Sequence, residues 1–232
     1  MSMTYRLHYA PDNASLIVRL ALLEMSVPFE DILVDRRKQE QSSEDYLRIN
    51  PAGLIPALET DQGTLFETGA ILLWLSEQHN ALAPTPDSEE RPDFLKWLFY
   101  ISNTLHPNLR MHFYPGKYIK AGQETALRDG CRANLTKSLT LLEAEAGQGH
   151  SWFNSASPSV ADIYLAACLR WMDLYTNRDR PWFTLSDWPN LTTLCKKLDR
   201  RASVLAASPI EGFAPNPFSN PQPVTPLAGA AV

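Results

Sequence analysis

The sequence has few cysteines, no excess of positive charge and no apolar run long enough to cross a membrane. Its three cysteines, Cys131, Cys168 and Cys195, lie far apart, which argues against a disulfide framework or a cysteine-based zinc site and favours a reducing cytoplasm. The 21 lysines and arginines are outnumbered by 26 aspartates and glutamates, and the net charge of −5 argues against nucleic-acid binding. The amino terminus lacks the basic start and apolar stretch of a secretory signal, and no membrane partner is expected.

Several catalytic signatures are also missing. The chain has no glycine-rich phosphate loop, no G-x-S-x-G motif and no H-E-x-x-H motif, so nucleotide, serine-hydrolase and zinc-protease functions have no support. Its five histidines have no metal-ligand spacing, and we expect no metal site.

Apolar periodicity in residues 1–80 predicts a small α/β domain of order βαβ–ββα. The predicted elements, in chain order, are a strand, a helix, a strand, a hairpin of two strands and a helix: 5–9, 14–24, 29–34, 57–59, 64–66 and 67–79. The crossover between the first two strands is long enough to make them parallel.

The remainder of the chain has helical periodicity and almost no strand signal. A proline-containing linker is predicted over residues 81–92, and an all-helical domain over 93–211. Within it, Ser159-Val160-Ala161-Asp162 is a capping box before a helix that is apolar nearly all round, which predicts the buried centre of that domain. Residues 212–232 are proline-rich and uncharged, and we expect a disordered or surface-draped tail.

Three motifs follow one another along the chain: Asn50-Pro51-x-Gly53-x-Ile55-Pro56, Glu67-Thr68-x-Ala70-Ile71 and Trp97-Leu98-x-x-Ile101-x-x-x-Leu105-His106. Together with the element order they resemble the cytosolic glutathione transferases over roughly residues 4–212, and the third is similar to the fourth helix of the bacterial beta class. The resemblance implies an α/β thioredoxin-like domain followed by an all-α helical bundle. It also implies glutathione as co-substrate, a small hydrophobic electrophile as second substrate, and a homodimer.

The resemblance assigns most of a glutathione site. In the family, the position of Thr68 holds the γ-glutamyl carboxylate and that of Glu67 lies near the amine, whereas a purely structural interpretation makes the pair a helix cap. The resemblance also implies that the Ile55–Pro56 bond is cis and that the backbone of Ile55 pairs with the cysteinyl part of glutathione.

The glycyl carboxylate has no assigned partner, because many relatives have a lysine where this chain has Leu54. Lys38, Arg37 or Arg36 could replace it, although a solvated basic patch explains these three residues equally well.

The thiol-activating position departs from the beta class. Ala14 stands where that class has a cysteine, so a mixed disulfide with glutathione cannot form there. Neutral donors at the start of the first helix remain, and we expect Ser15, then Asn13, to stabilise the thiolate. Both residues could equally be structural caps, and Asp12 is a poor candidate because its carboxylate would repel a thiolate.

A second-substrate wall is predicted from helical spacing, because four side chains share one face of the fourth helix and Pro107 should bend that helix. The predicted electrophile-site residues are Tyr9, Phe99, Asn103, His106 and Arg110, although a place on a subunit interface explains Arg110 equally well.

These residues favour a glutathione transferase. Two alternatives stay open: a glutathione-dependent reductase of disulfides or peroxides that uses only bound thiols, and a non-catalytic binding protein that lost the activating residue.

Overall fold

A computed structural model describes residues 4–176 and 182–230. In these residues the amino-terminal domain contains four strands and three α-helices: β1 Tyr5–Tyr9, α1 Ser15–Glu24, β2 Phe29–Leu33, α2 Glu44–Ile49, β3 Ala57–Thr60, β4 Gly63–Phe66 and α3 Thr68–His79. The strand order in the sheet is β2-β1-β3-β4. As the helical crossover predicts, β1 and β2 are parallel, with Tyr5 opposite Phe29, and β3 runs antiparallel to β1, with Leu7 opposite Leu58. The predicted thioredoxin-like domain is confirmed.

The carboxyl-terminal domain is helical. Its helices are α4 Arg91–Tyr100, α5 His106–Phe113, α6 Glu124–Ala146, α7 Val160–Thr176, α8 Pro189–Asp199 and α9 Ala202–Glu211, with a π-helical turn, Ile101–Leu105, joining α4 to α5. None of the helices in these described ranges is long and apolar enough to cross a membrane.

Helix α7 lies at the centre of the helical domain, as its apolar sequence predicts, since every residue from Val160 to Met172 is buried. The capping box at its start is confirmed. The Ser159 hydroxyl accepts the Asp162 N–H at 3.3 Å, and the Asp162 carboxylate accepts the Ser159 N–H at 2.8 Å. Burial raises the pKa of Asp162 to about 6.

The segment after α9 drapes over both domains. Phe218 is fully buried, and its N–H donates to the Asp199 carboxylate at 2.8 Å. Further on, the Gly229 carbonyl accepts from Arg37 at 2.5 Å. Gly229 has a φ of +73°, and a Cβ there would lie 2.8 Å from Leu33 at the edge of the sheet. Of the two behaviours expected for this tail, the described residues show the draped one.

Candidate functional site

A cleft of about 680 Å³ lies between the two domains. The sheet domain lines it with residues 12–14 before α1, residues 53–56 before β3, and residues 67–68 at the start of α3. The helical domain contributes side chains from the π-helical turn, from α5 and the loop after it, and from α7. The volume and the mixture of polar and aromatic walls are typical of a small-molecule site.

The start of α3 gives the cleft a site for an anion. Thr68 is the first residue of this 12-residue helix and is buried against the cleft, where the unpaired N–H groups of the helix N-terminus favour a carboxylate. Glu67 precedes it with a φ of +71°, a conformation that costs energy for a residue with a side chain and is concentrated at functional sites. The Ile55–Pro56 bond beside it is cis, as the resemblance implied.

A polar contact joins two helices on the helical-domain side of the cleft. The Tyr164 hydroxyl, on α7, lies 2.8 Å from His106 Nδ1 on α5. The pKa of His106 is lowered to about 4, mainly because the side chain is buried and also because the positive Arg110 guanidinium lies nearby. His106 lines the cleft and is partly exposed to it. With this lowered pKa its imidazole is neutral at physiological pH.

The loop between β1 and α1 is held by Asp12, which has a φ of +47° and is buried. One carboxylate oxygen accepts from Arg170 Nε at 2.9 Å and from Trp171 Nε1 at 2.9 Å. The other accepts from Arg170 Nη2 at 3.0 Å and from the Tyr175 hydroxyl at 2.5 Å. The Asp12 backbone N–H donates to Glu211, at the end of α9, at 2.7 Å. Asp12 thus fixes the loop to the helical domain, and its carboxylate is fully engaged by donors.

Arg170 also ties the tail to this loop. Its Nη1 donates to the Pro217 carbonyl at 2.7 Å, and its Nη2 to the Gln222 carbonyl at 3.2 Å. Three segments that are distant in sequence therefore meet at one buried guanidinium, immediately behind the cleft.

The two residues predicted to activate a thiol are placed differently. Ser15 is fully buried and does not line the cleft, because the tight turn after β1 brings its hydroxyl back to Ala10. That hydroxyl donates to the Ala10 carbonyl at 3.0 Å and accepts the Ala10 N–H at 3.2 Å. The Ser15 hydroxyl is thus hydrogen-bonded to the backbone and not available to a thiol in the cleft. This corrects the expectation that Ser15, ahead of Asn13, stabilises the thiolate.

Asn13 does line the cleft. Its Oδ1 accepts the Ala14 N–H at 2.8 Å, which fixes the side chain and orients the amide. Within the described residues, the Nδ2 group has no hydrogen-bond partner. Asn13 therefore offers a free N–H donor at the N-terminus of α1.

The fourth-helix wall differs from the prediction because of the π-helical turn. Pro107 has no N–H to donate to the Asn103 carbonyl. The N–H of the preceding residue, His106, donates to the carbonyl of Ile101, five residues earlier and not four as in an α-helix. The extra residue in this turn rotates α5 relative to α4, so the four side chains that α-helical spacing groups together do not share a face.

Two of those four side chains reach the cleft. His106 and Arg110, both after the wide turn, line it. Phe99 and Asn103 do not: Phe99 is 48% exposed, and Asn103 is exposed and accepts from Ser102 at 2.9 Å. Ser102 takes their place in the wall.

Tyr9 is also absent from the cleft lining, because its ring is buried in the core of the sheet domain. The guanidinium of the buried Arg19 lies 4.5 Å from the centre of that ring. Tyr9 was predicted to belong to the electrophile site, but β1 directs its side chain into the core.

Of the three cations proposed for the glycyl carboxylate, only Arg36 lines the cleft. Its Nη2 donates to the Tyr114 hydroxyl at 3.2 Å. The Lys38 side chain is 71% exposed and lies 3.6 Å from Asp35. Arg37 binds Gly229 of the tail, as described above.

Sequence reasoning missed the contribution of α7. Tyr164, Trp171 and Tyr175 all line the cleft, although their helix was interpreted only as the buried centre of its domain. The signal was available, because positions spaced by seven and four residues share one helical face and each of these side chains has a polar tip.

Within the described residues, no group of three or more histidine, cysteine, aspartate or glutamate side chains could hold a metal ion. All three cysteines are free and buried, so the cleft lining contains no protein thiol.

Two family models match the chain: "Glutathione S-transferase, N-terminal domain" over residues 14–78 and "Glutathione S-transferase, C-terminal domain" over residues 125–196. The chain is 31% identical over 172 residues to a glutathione S-transferase of Xanthomonas campestris, covering 72% of this chain and 81% of that one. It is 30% identical over 180 residues to the disulfide-bond oxidoreductase YfcG of Escherichia coli, covering 74% and 80%. A solved structure of a sphingomonad glutathione S-transferase complexed with glutathione is similar with a TM-score of 0.74 and 32% identity, covering 90% of this chain and 100% of that one.

Proposed function

Because this chain belongs to the glutathione S-transferase family, we propose that it joins glutathione to an electrophilic carbon, with the tripeptide lying along the sheet-domain side of the cleft. The observation that carries this proposal is the convergence of Thr68, Ile55–Pro56 and the free Asn13 amide on one wall. The structural relative that was solved in complex with glutathione supports glutathione binding.

The γ-glutamyl end binds at the start of α3. Its carboxylate accepts from the Thr68 hydroxyl and from the N–H groups of the helix N-terminus, and the Glu67 carboxylate pairs with the ammonium. Arg36, the one cation of the 36–38 segment in the cleft, binds the glycyl carboxylate. The ends of the tripeptide are thereby fixed, and the sulfur lies between them, near the start of α1.

The thiol is activated by neutral donors. The Asn13 amide and the N-terminus of α1 stabilise the thiolate more than the thiol, and the proton passes to solvent. The thiolate then attacks the electrophilic carbon, a C–S bond forms, and the leaving group departs with the electron pair of its bond. Each unit by which the thiol pKa falls requires about 1.4 kcal/mol of preferential stabilisation, which is the size of one hydrogen bond to a charged group.

Turnover of chlorodinitrobenzene with glutathione tests this function. Release of chloride and formation of the dinitrophenyl conjugate, each dependent on enzyme concentration, is the expected result. A protein that binds glutathione but forms no conjugate with this or other aryl halides would contradict the proposal.

Replacing Thr68 with valine should weaken glutathione binding about tenfold, because the change keeps the shape but removes a hydrogen bond to a charged carboxylate. Isothermal titration measures the dissociation constant directly. Thr64→Val is the matched control, since Thr64 is exposed on β4 and does not line the cleft. Equal affinities for the two variants would remove Thr68 from the site.

Disulfide reduction is a second candidate, favoured by the similarity to the YfcG oxidoreductase. All three cysteines are buried, so only bound glutathione can supply the thiolate. One glutathione thiolate would attack a disulfide and expel a thiolate, and a second glutathione would resolve the mixed disulfide to glutathione disulfide. Enzyme-dependent reduction of hydroxyethyl disulfide, without conjugation of aryl halides, would favour this candidate.

We also propose that the protein is a cytoplasmic homodimer, as the family resemblance implies. The free state of all three cysteines suits a reducing compartment. Exposed aromatic side chains on each domain, Phe66 at 38% and Phe99 at 48%, supply apolar surface for a partner subunit. Sedimentation velocity at micromolar concentration should show a dimer, and a single monomeric species would contradict this.

A further inference from the structure

The helical-domain wall of the cleft is positively charged. Arg110, on α5, and Lys117, in the loop after α5, both line it. The Tyr118 hydroxyl accepts from Arg110 Nη1, and the Arg110 guanidinium lies 5.5 Å from the centre of the Tyr118 ring. The Lys117 ammonium lies 4.9 Å from the centre of the Tyr114 ring. Each cation is therefore held against an aromatic ring at the edge of the cleft.

Neither cation is neutralised by a carboxylate in the part of the chain that the structure describes. Among the described residues, no carboxylate lies within 4.0 Å of Arg110 or Lys117, whereas Arg19, Arg91 and Arg170 all have such a partner. Two carboxylates line the described cleft, and both are assigned elsewhere. Asp12 accepts from Arg170, and Glu67 lies on the sheet-domain side at the start of α3.

Bound glutathione does not supply the missing negative charge. Its γ-glutamyl carboxylate lies at Thr68, and its glycyl carboxylate at Arg36, in the placement proposed above. Arg110 and Lys117 then remain without a carboxylate partner on the helical-domain wall, where the second substrate enters.

We propose that the electrophile carries a carboxylate, which binds Arg110 and Lys117 while its apolar body packs against Phe113 and Pro107 in the same wall. This inference rests on the proposed transferase function and narrows its substrate class from hydrophobic electrophiles to hydrophobic acids. Arg110 then determines specificity, because its planar guanidinium matches a carboxylate with two parallel hydrogen bonds.

Binding of two glutathione conjugates tests this without requiring turnover. S-(4-carboxybenzyl)glutathione and S-benzylglutathione differ by one carboxylate, and isothermal titration gives the ratio of their affinities. The wild-type protein should bind S-(4-carboxybenzyl)glutathione about tenfold more tightly than S-benzylglutathione, which is the effect of one hydrogen bond to a charged group. Added salt should reduce this ratio of affinities.

Three variants locate the effect. Arg110→Gln should abolish the preference, and Lys117→Gln should reduce it. Lys120→Gln should leave the ratio unchanged, because Lys120 is a nearby exposed lysine that does not line the cleft.

Turnover provides the second readout. With 4-chloro-3-nitrobenzoate the thiolate of glutathione forms a C–S bond at the chlorinated carbon, chloride leaves, and the thiol proton goes to solvent. The wild-type enzyme should have a higher kcat/KM for 4-chloro-3-nitrobenzoate than for the corresponding neutral amide. In Arg110→Gln the two values should be equal.

Equal affinity of the wild type for the two conjugates, or a ratio unaffected by Arg110→Gln, would overturn the inference and leave the transferase function intact. Failure to bind either conjugate or glutathione itself would overturn the proposed function, and this inference with it.

Discussion

Replacing Arg170 with methionine should lower the free energy of unfolding by about 3–5 kcal/mol, because the change leaves a buried carboxylate without its positive partner. The side chain of Asp12 is fully buried and that of Arg170 is 1% exposed, so water cannot replace the lost contact. The Pro217 and Gln222 carbonyls of the tail lose their donor in the same variant.

Urea unfolding of four proteins tests this effect: the wild type, Arg170→Met, Asp12→Asn, and the double variant. Since the penalty comes from an unpaired charge, the double variant should be destabilised by less than the sum of the single changes. Arg48→Met is the control, because Arg48 is 70% exposed beside Asp45 and such surface pairs contribute at most about 1 kcal/mol. Additive effects, or a loss of less than 1 kcal/mol in Arg170→Met, would contradict the role assigned to this pair.

Replacing Asn13 with alanine should lower the conjugation kcat about tenfold at pH 6.5, because the loss of one donor raises the pKa of the bound thiol by about one unit and lowers its ionised fraction by that factor. Glutathione affinity should change little, because the γ-glutamyl and glycyl ends bind elsewhere. Asn13→Asp should be at least as impaired, because a carboxylate at this position repels the thiolate.

Ser15→Ala is the matched control for Asn13→Ala. Its hydroxyl binds Ala10 and not the cleft, so the loss should affect stability by about 1 kcal/mol and leave kcat near that of the wild type. A larger loss of kcat in Ser15→Ala than in Asn13→Ala would reverse the assignment and restore the order expected from sequence.

Most of the fold could be predicted from sequence because its determinants are local. Period-two and period-3.6 apolar patterns separate strands from helices in residues 5–79, and the long crossover makes β1 and β2 parallel. The capping box of Ser159 and Asp162 lies within four residues and was therefore readable. The assignment of Ile55–Pro56 and Thr68 to a glutathione site came from the family resemblance that their motifs carry, and it stays a prediction.

The second-substrate wall could not be predicted with the same success, because its geometry depends on one turn. Pro107 predicts a bend, but it does not reveal that the preceding residues, Ile101–Leu105, form a π-helical turn. One additional residue in that turn separates Phe99 and Asn103 from His106 and Arg110. Face assignments based on helical spacing fail wherever the period itself changes.

Two tertiary contacts that decide the roles of site residues could not be predicted from the sequence either. Asn13 and Ser15 are both neutral donors at the start of one helix, and only the hydrogen bond of Ser15 to Ala10 distinguishes them. The pairing of Asp12 with Arg170 spans 158 residues and has no sequence pattern. It depends on packing between the two domains.

The pH at which bound glutathione ionises tests the central claim most directly. Thiolate absorbance near 240 nm, measured as a difference titration of the complex, gives the pKa of the bound thiol. The proposed placement of sulfur beside Asn13 predicts a pKa at least about one unit below the ordinary thiol value of about 8.5, and a return toward that value in Asn13→Ala but not in Ser15→Ala. Ionisation of the bound thiol at the same pH as free glutathione, or the same titration in wild type and Asn13→Ala, would contradict the account.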